Sequence, residues 1–168
     1  MTLNVVRALC VAIAFGAVVP EASVAQVDEP TVDWTASWSA GAAVKPGEQG
    51  ILELSGVVQE GWHVYALTQR PGGPTALRIS IDDNPVASQA GAPSGTTPES
   101  RHDPSFDLDT QFYTRSFAVH VPIAVKTGVA TGGQVVPVSI RFQTCSAREC
   151  RPPRTIHLSV PIEVHPAL

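Results

Sequence analysis

The chain predicts an all-β domain, an immunoglobulin-like β-sandwich carrying one long cap-type loop. Three observations predict it. Apolar and polar residues alternate with period two through most of the sequence, and helix-period patterning is scarce. The alternating stretches are rich in Val, Ile, Thr and aromatic residues, the types that suit a pleated, half-buried surface. Gly- and Pro-rich turns divide them into roughly seven short strands, the number expected of such a sandwich.

Taken in order, the strands fall at Asp33 to Ala40, Ile51 to Gln59, Trp62 to Leu67, Thr75 to Ile81, Phe117 to Val125, Gln134 to Cys145 and Thr155 to Val164. Lys45-Pro46-Gly47-Glu48, Glu60-Gly61, Arg70 to Pro74 and Thr131-Gly132-Gly133 supply turns between them. One connection breaks this spacing. Asp82 to Arg115 is dense in Pro, Gly, Ser, Thr and Asp and shows almost no strand pattern. Loops of that length in compact domains are lids or disordered segments. Ala87 to Ser100 has little to bury and reads as disordered. The part beyond it holds Phe106, Phe112 and Tyr113, which would be costly to leave in water, and reads as a lid folded back on the domain.

The first 25 residues read as a secretory signal peptide. Arg7 gives the positive start, Ala8 to Val19 an apolar run ended by Pro20, and Ser23-Val24-Ala25 the small residues of a cleavage site. The run is too short for a transmembrane helix, which needs about 20 apolar residues. A soluble exported domain over 26–168 is expected, about 140 residues and long enough for one core. A formal net charge of −4 gives no footprint for nucleic acid or an anionic membrane surface. P-loop, dinucleotide-binding, zinc-protease and serine-hydrolase signatures are all missing from the sequence, and no cofactor is expected.

Of the three cysteines, Cys10 lies in the signal peptide, leaving Cys145 and Cys150 with four residues between them. That interval suits a hairpin loop with the two cysteines opposite each other across its neck, close enough for a disulfide. Val136, Val138, Ile140 and Phe142 define the apolar phase of the preceding strand, and Cys145 falls in the other phase. It is expected to point away from the sandwich core. So short a ring removes only on the order of 2 kcal/mol of unfolded-state entropy. A staple is a weak purpose for it, whereas exchange needs a reachable sulfur, a resolving partner and a stabilised thiolate. Arg148 and Arg151 flank Cys150 and would favour its thiolate, against Glu149. On spacing alone, a structural hairpin disulfide and a redox pair both remain open. A zinc site lacks two further ligands, since His157 and His165 have no finger-type spacing.

The segments Gly61-Trp62-His63-Val64-Tyr65, Pro74-Thr75 and Cys145-x4-Cys150-Arg151-Pro152-Pro153 together resemble the N-terminal periplasmic domain of the thiol:disulfide interchange protein DsbD. The resemblance spans nearly all of residues 26–168. It implies an immunoglobulin-like domain in the periplasm that takes electrons from a membrane transducer and passes them to thioredoxin-fold partners. It also implies that Cys150 exchanges with partners and Cys145 resolves. His63 and Tyr65 would stand beside the disulfide, and Phe112, followed by Tyr113, would supply the aromatic tip of the cap. Some relatives carry carboxylates just before that aromatic, where this sequence has Thr110 and Gln111. A stand-alone version is expected, its electrons coming from a separate DsbD-like membrane protein. Two other functions stand beside this one: a non-enzymatic interaction module stiffened by the disulfide, and copper tolerance through Cu(I) bound by the thiols.

Overall fold

The structure is a computed structural model, described for residues 29–38 and 44–166. The expected signal peptide lies outside those residues, as do Ser39 and Ala40 at the end of the first expected strand. Twelve strands follow in order: β1 (Val32–Trp38), β2 (Gln49–Val58), β3 (Trp62–Tyr65), β4 (Arg78–Ile81), β5 (Ala87–Gln89), β6 (Ser94–Gly95), β7 (Glu99–Asp103), β8 (Leu108–Tyr113), β9 (Ser116–Val125), β10 (Gly132–Phe142), β11 (Thr144–Ser146) and β12 (Arg154–Val164). Among the described residues there is no helix, and none long and apolar enough to cross a membrane.

The strands form an immunoglobulin-like sandwich. One sheet runs β1-β2-β9-β5, with β6 also on β9; the second runs β12-β10-β4. Every strand pair is antiparallel, so one face of each strand can bury while the other meets water. Leu52, Leu54, Val119, Val121 and Ile123 from the first sheet meet Val136, Val138, Ile140, Val160 and Ile162 from the second, all at most 3% exposed. The intervening residues Glu53, Ser55 and His120, or Ser139 and Arg141, alternate outward. Trp34 and Trp38 pack against this core from β1, and Trp34 touches both Phe117 and Phe142.

A third sheet, β11-β3-β8-β7, carries the chain off one end of the sandwich. The expected strand from Gln134 to Cys145 is therefore two strands. It stops at Phe142, Gln143 leaves the ladder, and the chain resumes as β11 on a different neighbour, β3. Gln143 holds this joint: its carbonyl accepts the Tyr65 N–H at 3.2 Å, and its side-chain oxygen accepts the Thr75 N–H at 2.8 Å.

The stretch from Asp82 to Arg115 corrects the expectation most. It is not strandless, and Ala87 to Ser100 is not a disordered segment: β5 and β6 lie along β9, and β7 with β8 form a hairpin. The physical reason is that β5 and β6 are held by main-chain pairing to an edge. Their side chains face mostly water, so no alternation is required of them. Gly95 permits the closest approach, since a Cβ there would meet the backbone of Ala118 and Val119. The Asn84 side chain bonds the backbone of Val86 and Ala87 at 2.8 and 2.9 Å, which sets the entry into β5.

Candidate functional site

Register in the third sheet gathers the site. Gly61, at φ +81°, turns the chain from β2 into β3. Along β3, Val64 enters the main core, and His63 and Tyr65 take the other face. Cys145 pairs with His63 and Phe112 with Tyr65, which puts all four on that one face. Tyr65, Phe112 and Cys145, each at most 1% exposed, form a small apolar cluster separate from the main core, with Phe106 packed on it. Cys145 does face away from the sandwich core, as its phase predicts, yet it is buried all the same.

The cysteines are bonded, with Cα atoms 4.0 Å apart, and pair as a β-bridge across the neck of their hairpin. Ser146 N–H donates to the Glu149 carbonyl at 2.8 Å and Arg151 N–H to the Thr144 carbonyl at 2.9 Å. The Ser146 hydroxyl oxygen accepts the N–H groups of Arg148 and Glu149, which fixes the four-residue loop. The two sulfurs are unequal: Cys145 is 1% exposed, and Cys150 is on the surface.

Beneath the buried sulfur lies a polar contact that sequence reasoning missed. The Tyr65 hydroxyl stands 3.1 Å from Cys145 Sγ and 2.7 Å from Asp103 Oδ2. A phenol has one hydrogen to give, and the carboxylate is the stronger acceptor. Asp103 also accepts the Ser105 N–H at 2.9 Å and faces the Thr110 hydroxyl at 3.4 Å. Burial pushes the Asp103 carboxyl upward, but the bonds from Tyr65 and Ser105, with help from His63, hold it below its usual value. Burial and the Asp103 carboxylate push the Tyr65 phenol far above its usual range. The proton therefore stays on Tyr65 and the charge on Asp103.

His63 packs edge-on against Tyr65 and tilts over Phe112, with ring centroids 5.0 and 5.1 Å apart. Burial and the nearby Arg101 guanidinium lower its pKa, against Asp103, which raises it. A buried neutral histidine contributes stability that is fully present above its unfolded value of 6.5 and is lost as pH falls through the lower folded value. The His63→Gln variant is expected to show a shallower loss of melting temperature from neutral to mildly acidic pH. An unchanged slope in the oxidised protein would assign that acid sensitivity to other groups.

Two expected cap residues are not at a loop tip. Phe112 lies within β8 under Arg101, whose guanidinium carbon is 4.3 Å from the ring centre. Tyr113 takes the opposite face, stacked on Phe117 at 4.2 Å in the main core. The aromatic in a turn over the cluster is Phe106, edge-on to Tyr65 at 5.8 Å, in the connection between β7 and β8. Arg151, expected to support the Cys150 thiolate, lies over the Trp62 ring at 4.6 Å and reaches Glu149 at 3.9 Å. Asp103-Pro104-Ser105 does carry a sequence signal, an Asx turn that bends the chain back, and Phe106 follows it directly. Among the described residues no group of three or more His, Cys, Asp or Glu side chains is arranged to hold a metal.

The family model for the N-terminal part of the thiol:disulfide interchange protein DsbD matches residues 31–161, from the start of β1 into β12. The chain belongs to that family. Membership and the Cys145–Cys150 disulfide together support thiol:disulfide exchange as the general chemistry of this DsbD N-terminal-type domain. No curated protein matches the chain. Among solved structures it is similar to the Neisseria meningitidis DsbD N-terminal domain in the reduced form, at 17% identity and a TM-score of 0.48, over 73% of this chain and 82% of that one. It is also similar to the N-terminal periplasmic domain of ScsB from Proteus mirabilis, at 18% identity and a TM-score of 0.45. That match covers 79% of this chain and spans 45% of the ScsB chain.

Proposed function

We propose that this domain is a periplasmic disulfide reductase that relays electrons through Cys145 and Cys150, from a DsbD-like membrane transducer to thioredoxin-fold partners. The observation that carries the reading is the inequality of the two sulfurs: one is exposed, the other sits against Tyr65 and Asp103. A nucleophile must meet an incoming disulfide, and a resolving thiol need not. In the dithiol state the Cys150 thiolate attacks a partner disulfide, forming a mixed disulfide and releasing one partner thiolate. Cys145 then attacks Cys150 Sγ, the partner leaves as a dithiol, and the Cys145–Cys150 bond forms. Phe106 shields the buried sulfur between encounters, while His63 and Phe112 wall the cluster. Family membership supports the export route and the partner class. A cleavable signal peptide over 1–25 completes the reading.

The test is trapping. The Cys145→Ala variant, which cannot resolve, is expected to accumulate mixed disulfides through Cys150 with thioredoxin-fold proteins in cells. A Cys150→Ala variant should accumulate none. If a double Cys→Ser variant keeps the cellular function with only a modest loss of stability, the disulfide is a loop stiffener and the redox reading fails.

A further inference from the structure

A groove of about 870 Å³ opens beside the disulfide, in the size range of small-molecule sites. Val57, half exposed, and Trp62 give it an apolar wall. Ser105 and Ser146 line the end nearest the hairpin, and Ser105 Oγ is 3.8 Å from Cys150 Sγ. The groove therefore leads to the exposed sulfur.

Its lining is formally neutral, Arg101 and Arg115 against Asp103 and Glu60, within an acidic chain. The whole sequence carries a formal −4, yet Arg101 and Arg115 both line this groove. Among the described residues neither guanidinium is in an ion pair with a carboxylate. Arg101 sits over Phe112, its guanidinium carbon 4.3 Å from the ring centre, a cation–π contact that uses none of its N–H donors. Two carboxylates share the lining. Asp103 is occupied by Tyr65 and Ser105, and Glu60 is the other.

We propose that this groove binds the carboxylates of a low-molecular-weight thiol, or of its disulfide, and delivers that compound's sulfur to Cys150. The proposal rests on Cys150 being the exchanging cysteine. With the domain reduced, the Cys150 thiolate attacks the small disulfide, a Cys150 mixed disulfide forms and one small thiolate leaves. Cys145 then attacks Cys150 Sγ, which releases the second small thiolate and restores the Cys145–Cys150 bond. Two electrons pass from the domain to the small disulfide. The reverse sequence, with two small thiolates as reductant, reduces the domain.

The experiment uses the full chain as a Cys145→Ala variant and follows Cys150 adducts by intact-mass measurement. Glutathione disulfide, which carries carboxylates, is compared with cystamine, which carries only ammonium groups. Each rate is divided by that of a free cysteine peptide. Glutathione disulfide is expected to be preferred, and Arg115→Gln to reduce the preference about two- to fivefold at low salt, the scale of one surface ion pair. Arg101→Gln should act likewise, and Arg101→Lys should keep most of the preference if charge carries it. Added salt should erode it. A corrected ratio near one, or one that neither arginine substitution moves, overturns the proposal. Cys150 adducts with protein partners but no charge preference would sink this inference alone. No adducts of either kind would sink the exchange reading with it.

Discussion

An Asp103→Asn substitution is expected to make the Cys145 thiol of the reduced domain easier to ionise, because it removes a like charge that competes for the Tyr65 hydroxyl. In the native site the Tyr65 hydroxyl lies between a carboxylate at 2.7 Å and the buried sulfur at 3.1 Å, with one hydrogen for both. A Cys145 thiolate would be a second anion competing for it, in an apolar cluster sealed from water. The reduced domain therefore keeps Cys145 as a thiol, and reduction takes up a proton there. The potential of the couple should then fall by about 59 mV per pH unit while both thiols are protonated, twice the 29.6 mV of a tenfold change. With asparagine the second charge is gone and its amide can donate to the Tyr65 oxygen, turning the phenolic hydrogen toward sulfur. The slope should flatten from a lower pH. Ultraviolet titration of the thiolates and the potential's pH profile measure both. Superimposable titrations would show that Asp103 does not govern Cys145. The same substitution should also soften acid unfolding. A carboxylate held below its unfolded value of 3.8 contributes stability above that value, lost as pH falls through the folded one.

The second large effect separates the cap from the wall. Phe106 is half-buried in the turn between β7 and β8 and packs on Tyr65. Reaching Cys145 requires that contact to open. Removing its partial burial, worth about 1.5 kcal/mol, should make the opened form roughly tenfold more populated. In a Cys150→Ala background, Phe106→Ala is thus expected to speed alkylation of the buried Cys145 thiol about tenfold, with a loss of melting temperature of only a few degrees. Phe112→Ala should behave differently. Its ring is 1% exposed inside β8, and its loss should cost about 3–5 kcal/mol of stability. Alkylation rates set beside thermal melts for the two variants test the contrast. If Phe112→Ala accelerates alkylation without destabilising the domain, the roles are reversed.

The sandwich was legible because its strands obey a period that burial enforces. Leu52 and Leu54, or Val136, Val138 and Ile140, alternate because one face of each strand meets the opposing sheet. The same rule put His63 and Tyr65 on one face and turned Cys145 off the core, and the family resemblance alone set them side by side. What stayed hidden depended on pairing between backbones. β5 and β6 have no pattern because they bury little and are held chiefly by main-chain pairing to β9. Asp103 stayed hidden because the carboxylate arrives from β7, two strands across the same sheet and 38 residues along the chain from Tyr65. Phe106 and Phe112 are equally aromatic and equally far from any regular spacing. Only the hairpin register decides which one spans the turn and which one is strand.

The switch at Gln143 has a consequence for how such a domain can diversify. Because the chain changes sheets there, the redox cluster shares a backbone with the sandwich but few side chains. Its lid, wall and carboxylate can be exchanged one at a time, retuning reactivity or partner choice, while the supporting sandwich of Val, Ile and Leu is left as it stands. The scaffold and the chemistry are free to drift at different rates, tied together at Gln143 and where Val64 and Tyr113 enter the core.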